Sequence, residues 1–202
     1  MYASTTLAAA TSFALAMMLY PEAQKRAQAE IDAVVGQDRF PTFEDGEQLP
    51  YIGALIQEVL RWAPVVPQGL QHHVMKEDVY EGYRILKGAI VIANIFSISR
   101  DKDMYPDPLE FKPERFLGSS PQVDPHKFVF GFGRRFHFAE ASLYLNISCT
   151  LAAFTIAGPL DEKGEEFTPP AEFESVGPIR HPKPFRYRFV SRNKDLLASL
   201  SQ

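Results

Sequence analysis

The chain has 202 residues, 46% apolar and 23% charged, the composition of an ordinary soluble globular domain. A net charge of −4, with no cluster of Lys and Arg, excludes a nucleic-acid binder. The single cysteine, Cys149, excludes an intrachain disulfide and any multi-cysteine metal site.

In chain order, Thr5 to Leu19 is rich in Ala, Leu and Met, which are good helix formers, and is apolar nearly all round; it should lie deep in a core. The uncharged run from Leu7 to Tyr20 is preceded by no basic residue and falls short of the roughly twenty apolar residues of a membrane span, so a buried helix is favoured over a targeting segment. Pro21 opens a second helix, Glu22 to Val35, with Ala23, Ala27, Ile31 and Val34 as its apolar stripe. Lys25, Arg26, Gln28 and Glu30 form its wet side, and Gly36 ends it. Phe40 to Pro50 is a polar connection. Tyr51 to Trp62 is a third helix, with Ile52, Leu55, Ile56, Val59 and Leu60 at helical spacing.

Pro64 and Pro67 force an extended chain, and Gln68 to Ala93 reads as short strands. Val79 to Glu81 and Tyr83 to Ile85 flank Gly82, and Ala89 to Ala93 is apolar and β-branched. Asn94 to Ser99 suits a short helix, Asp103 to Gly118 is a proline-punctuated loop, and Ser119 to Lys127 is a further loop. Phe138 to Phe154 is the fourth strong helix. Two late runs, Ala171 to Val176 and Phe185 to Val190, alternate like the strands of one antiparallel pair. The fold class expected is mainly α with small β-sheets (α+β).

Chemistry concentrates between Phe128 and Ser142. Gly131 and Gly133 punctuate an aromatic loop, Arg134 and Arg135 add two fixed positive charges, and the loop runs into the fourth helix. That arrangement suits a flat apolar ligand with acidic edges. Glu58 and Arg61 stand three apart on the third helix; by itself such a pair is an ordinary surface ion pair. Ser4-Thr5-Thr6 by itself is no more than a helix N-cap, and His72 and His73 by themselves are polar residues on an edge strand.

Taken together, these stretches resemble the cytochrome P-450 family. Phe130, Gly133 and Arg135 fall on the first three fixed positions of its haem-loop signature, FxxGxRxCxG; the Cys and the final Gly are not there. Gln57-Glu58-Val59-Leu60-Arg61-Trp62 looks like the family's ExxR helix, and Pro113-Glu114-Arg115-Phe116 like its PERF loop. Tyr105-Pro106-Asp107-Pro108 and the run from Pro21 to Asp32 also match. It is the order of the motifs that carries the resemblance. It extends from about Ser4 to the C-terminal strands and is nearest to fungal microsomal-type members.

The resemblance implies that residues 1–202 form a single partial domain, the C-terminal part of the cytochrome P-450 fold, beginning inside the long oxygen-activating helix. The membrane anchor, most of the substrate pocket and most of the reductase-docking face would then lie upstream. It implies haem as cofactor, with Phe130, Gly133, Arg135 and His72 around it. Arg135 is suited to hold a propionate bidentately. Thr5 takes the position that helps deliver protons during oxygen activation, while Glu58, Arg61 and Arg115 form a buried structural triad. The implied reaction inserts oxygen into an apolar organic substrate, using O2 and electrons from an NADPH-cytochrome reductase. The family's location is the endoplasmic reticulum membrane; without the anchor, this chain is cytoplasmic or undetermined.

One departure bears on activity. Where family members read Ile-Cys-Pro-Gly-Arg between FGFGRR and HFAEAS, this chain has Phe136 alone, so the thiolate ligand of the iron is missing. Cys149 lies about three turns beyond the start of the fourth helix, roughly 16 Å from the loop at 1.5 Å per residue. His137 is only a weak substitute ligand. The expectation is therefore a haem-dependent monooxygenase by lineage with absent or very low activity as written; the alternative is a non-catalytic remnant or partner-binding pseudoenzyme. Either the loop tightens, or the fourth helix unwinds at its start near His137 and Phe138. Apolar faces of the first and fourth helices are expected to lack partners and to drive association.

Overall fold

Residues 2–131 and 136–198 are described in the computed structural model of the chain, apart from the side chains of residues 2–4, 136 and 195. Four helices make the frame: α1 (Tyr2–Leu19), α2 (Pro21–Val34), α3 (Pro50–Trp62) and, much later, α6 (Phe136–Ala153). Their inward faces meet around Leu15, Met17, Ile31, Leu55, Ile147 and Leu151, all fully or almost fully buried. Truncating one of these to Ala would cost about 2–5 kcal/mol. Pro21 and Pro50 each occupy the first turn, where a missing N–H leaves no bond unmade.

Between α3 and α6 the elements are short and much of the chain is irregular. Strands β1 (His72–His73), β2 (Asp78–Tyr80), β3 (Tyr83–Ile85) and β4 (Ile90–Val91) form two small antiparallel ribbons, β1 with β4 and β2 with β3. Helix α4 (Ile95–Ile98) follows, capped by Asn94, whose Oδ1 accepts from the Ser97 N–H at 3.1 Å. The PERF stretch, expected as loop, is a 3-10 turn at Pro113–Phe116, and another such turn occupies Phe43–Gln48 inside the expected polar connection. Helix α5 (His126–Val129) leads into the aromatic loop.

The C-terminal strands are paired differently from the sequence expectation. Strand β6 (Phe173–Val176) pairs with β7 (Ile179–Pro182) through a two-residue turn, Gly177-Pro178. Gly177 has φ +60°, a conformation that favours glycine. The later strand β8 (Arg188–Ser191) pairs with β5 (Phe154–Ala157), which follows α6 directly. Helix α7 (Lys194–Ala198) closes the described chain. The expected pairing of 171–176 with 185–190 is thus replaced by two separate ribbons. The fourth helix, expected to run to Phe154, ends at Ala153, and the strand that follows it directly was not expected.

Gln28, placed on the wet side of α2 by periodicity, is buried and donates from Nε2 to the Phe154 carbonyl at 3.0 Å. Gln24 does more. Its Nε2 donates to the Ile156 carbonyl at 3.0 Å, and its Oε1 accepts from the Ile156 N–H at 2.7 Å. The two amides stand in for a strand neighbour along β5, which would otherwise bury unsatisfied backbone groups. The first and fourth helices are not uniformly buried either: Leu7 is 63% exposed and Phe138 80%. Helix α6 starts at Phe136, so it is not unwound at His137 and Phe138. Among the described residues, no helix is long and apolar enough to cross a membrane.

Candidate functional site

The most completely built polar cluster lies under α3. Glu58 and Arg61 sit one turn apart on the helix and are both 0% exposed. Arg61 Nε donates to Glu58 Oε2 at 2.7 Å and Nη2 to Oε1 at 2.8 Å, a bidentate pair. Nη1 donates to the Ser99 and Pro108 carbonyls, each at 2.8 Å, and Nη2 also reaches the Glu110 carbonyl at 3.1 Å. All five N–H groups of a guanidinium are thereby used. Tyr105 presents its ring 5.3 Å from the Arg61 guanidinium carbon. Its hydroxyl donates to the Val123 carbonyl at 2.8 Å, and burial pushes its pKa up to about 12.

Arg115, from the 3-10 turn, joins the same carboxylate: its Nε lies 3.2 Å from Glu58 Oε2. Its Nη atoms donate to the carbonyls of Pro106, Asp107 and Glu110 and to Gln122 Oε1. Glu58 Oε1 further accepts from the Lys112 N–H at 2.7 Å. One carboxylate therefore faces two guanidinium groups and one backbone amide. The arrangement makes no bond and breaks none; what it does is tie α3 to residues 99–122.

The aromatic loop is described only in its first half. Phe130 caps α5 and stacks on the His126 ring, centroids 5.6 Å apart and planes 8° from parallel. Gly131 follows with φ +62°, so the chain reverses where a side chain would be strained. His126 Nδ1 lies 2.6 Å from Asp124 Oδ1, and its Nε2 lies 3.9 Å from Glu140 on α6. Burial acts to raise the Asp124 carboxyl, but hydrogen bonds from the His126 ring and backbone outweigh it and lower the pKa. Gly133 and Arg135, named from the motif, lie outside the described residues.

The remaining motif residues sit on separate elements. Thr5 is in the first turns of α1, half-exposed. His72 is on the exposed strand β1, in register with Val91 of β4. His137 is exposed at the start of α6. Beside α1 lies an apolar cleft of about 510 Å³, lined by Leu7, Ala8 and Thr11 and across from them Val176, Ile179 and Phe185. Sequence reasoning missed Arg100 and Arg180, two cations near the ring of Phe96. No motif marked them: Arg100 packs on Phe96 four residues before it, and Arg180 reaches the Phe96 ring from a distant segment.

The sequence matches the Cytochrome P-450 family over residues 2–189, and the chain belongs to that family. It is 47% identical to cytochrome P-450 monooxygenase claR of Ampulloclitocybe clavipes, over 94% of this chain and 36% of that protein. It is 47% identical to cytochrome P-450 monooxygenase 208 of Postia placenta, over 95% of this chain and 38% of that protein. To tryptamine 4-monooxygenase of Psilocybe cyanescens it is 41% identical, over 98% of this chain and 41% of that protein. The chain thus spans about two fifths of the length of these curated relatives. The last alignment runs over 207 residues, more than the 202 of this chain, so within the matched span that relative carries residues this chain lacks.

The family implies a haem held by a cysteine thiolate. The residues present do not fit that group. Cys149, the only cysteine, is on the flank of α6, about 20 Å along the helix axis from Phe136 at 1.5 Å per residue. Its Sγ donates to the Pro41 carbonyl at 3.6 Å, and burial pushes its thiol up, away from the thiolate form.

Proposed function

We propose that this chain is the C-terminal part of a monooxygenase that has lost its thiolate ligand and, as written, does not carry out haem-thiolate oxygen insertion. The observation that carries this reading is the junction Arg135-Phe136-His137, which offers no cysteine where the aromatic loop meets α6. Cys149 is engaged elsewhere, on the Pro41 carbonyl. In the complete form of such a protein, the reaction would be oxygen insertion into a small apolar organic substrate, with electrons from a reductase at the endoplasmic reticulum membrane. Thr5 would serve proton delivery there. Phe130, Gly133, Arg135 and His72 would surround the cofactor, and Glu58, Arg61 and Arg115 would hold that side of the core rigid.

The test is spectroscopic. The purified chain is mixed with haemin, reduced and exposed to CO, in parallel with a variant in which Phe136 is replaced by Ile-Cys-Pro-Gly-Arg. The chain as it stands is expected to show no red-shifted thiolate band, and the variant to gain one. That band in the unmodified chain would overturn the proposal. Sequencing the coding DNA between Arg135 and His137 tests the alternative, a genuine non-catalytic remnant; a Cys-encoding stretch there removes it.

A further inference from the structure

The β6–β7 hairpin separates two different clefts. Its residues alternate across the ribbon, as strand geometry requires. Val176 and Ile179, which are cross-strand partners, line the apolar cleft beside α1. The next pair, Ser175 and Arg180, lines a second cleft of about 380 Å³ on the opposite side. Gln68, Asn94 and Phe96 form the far wall of that second cleft.

Arg180 is held firmly in this wall. Its backbone N–H donates to the Val65 carbonyl at 2.8 Å. Its guanidinium carbon lies 3.8 Å from the centroid of Phe173 and 5.4 Å from that of Phe96. Phe173 is itself fixed edge-on by Trp62, with ring centroids 5.6 Å apart. Stacking on an aromatic face directs the N–H groups of a guanidinium outward in its own plane, where a planar acceptor meets them. Yet Nη1 is shut off from solvent and has no hydrogen-bond partner among the described residues. Burial pulls the Arg180 pKa down. A buried donor left unmet costs stability, more so when it is charged, so this cation is under-compensated.

The neighbours are suited to receive an anion. Asn94 commits Oδ1 to the Ser97 N–H at 3.1 Å, which leaves its Nδ2 donors for the cleft. Arg100, 3.7 Å from the Phe96 centroid, adds positive potential but spends its own donors on the Trp62 and Phe96 carbonyls and on Ser99. One unmatched guanidinium among neutral amides matches a single negative charge. Phe96 and Pro67, which line the cleft, suit an apolar body attached to it.

We propose that this second cleft is a carboxylate-recognition site, with Arg180 as the charged anchor for a small organic monocarboxylate. None of its described lining residues belongs to the aromatic loop, so the proposal does not depend on whether the chain holds haem.

Trp62, the only tryptophan, reports on it through Phe173. Octanoate titrated into the full chain is expected to change Trp62 fluorescence saturably, and octanamide to leave it unchanged. Arg180→Gln should weaken octanoate about 10- to 100-fold, the loss expected for a charged hydrogen-bonding partner, and Arg180→Lys should fall between. Equal responses to octanoate and octanamide, an unaffected R180Q chain, or inorganic phosphate binding as tightly as octanoate would each overturn the proposal. If R180Q does not fold, Ser175→Glu serves instead. It puts a carboxylate directly opposite Arg180 in the ribbon, where cross-strand Cβ atoms are about 5 Å apart. That variant should raise the Tm and abolish the octanoate response; an unchanged response would also overturn the proposal.

Discussion

Arg61 and Arg180 are both packed against aromatic rings, and they could hardly be used more differently. Arg61 is fully buried, with all five N–H groups donated to a carboxylate and three carbonyls. Arg180 sits against Phe173 with its Nη1 unmet. The difference lies in which chain segments come near. Around Arg61, the irregular stretch from Ser99 to Glu110 turns its carbonyls inward. Around Arg180, no acceptor of the described residues reaches Nη1. A saturated arginine holds a fold together, whereas an unsaturated one is ready to hold something else.

The largest test of this contrast is Glu58→Gln. It leaves Arg61 and Arg115 buried without their shared counter-charge, and a loss of about 3–5 kcal/mol is expected in urea unfolding. A loss under about 1 kcal/mol would break the comparison, since the knot would then not depend on charge. Arg61→Lys should cost about 2–4 kcal/mol by the same measurement, because an ammonium cannot reproduce the fork and orphans several of the carbonyls. Arg180→Met should change stability by less than about 1 kcal/mol in either direction, as it removes an unmet donor and keeps a flexible apolar side chain on Phe173. A large loss there would mean that Arg180 is already structurally committed.

A third arginine sharpens the scale between these extremes. Arg39, half-exposed, clasps Asp45 through two bonds of 2.7 and 2.6 Å. Arg39 first, and then the Thr42 N–H, hold the Asp45 carboxyl well below the usual range. A depressed carboxyl stabilises the fold fully above its unfolded pKa of about 3.9 and loses that contribution as pH falls toward the folded value. Asp45→Asn should therefore be less stable than the parent at pH 7, with the gap closing below about pH 4. Thermal melts of the two proteins from pH 7 to pH 3 test this; a gap that stays constant would remove the charge argument.

How much of this was legible in sequence depended on how local its cause was. Helices α2 and α3 rest on periodicity and proline placement, α1 and α6 on their apolar, helix-forming composition, and all four form close to where those signals put them. Glu58 and Arg61 are one turn apart, so their alignment follows from helix geometry alone. The strands were harder. Phe154–Ala157 is apolar like the helix before it, and its partner lies across a gap that no local pattern encodes. The β6–β7 hairpin was missed because Ile179–Pro182 carried no strand reading and the first late run was paired with Phe185–Val190; Gly177-Pro178 is its turn. Gln28 looked like a solvent-facing residue and Gln24 had no assigned role, since a side chain that replaces a strand neighbour leaves no mark on periodicity. In the loop, the motif letters identified Phe130, but Arg180 had no motif to announce it.

The Glu58 carboxylate has one further consequence, in the time domain. It accepts the Lys112 N–H at 2.7 Å, in a stretch of chain with almost no regular secondary structure. That amide can exchange its hydrogen only when the ion cluster opens, and opening exposes three charges at once. Residues 105–117 should therefore resist proteases and hold their deuterium as long as the helical core does, despite looking like a loop. The exposed ribbon of β2 and β3 should exchange far sooner. Persistence in this protein should then follow the buried charge more closely than secondary structure.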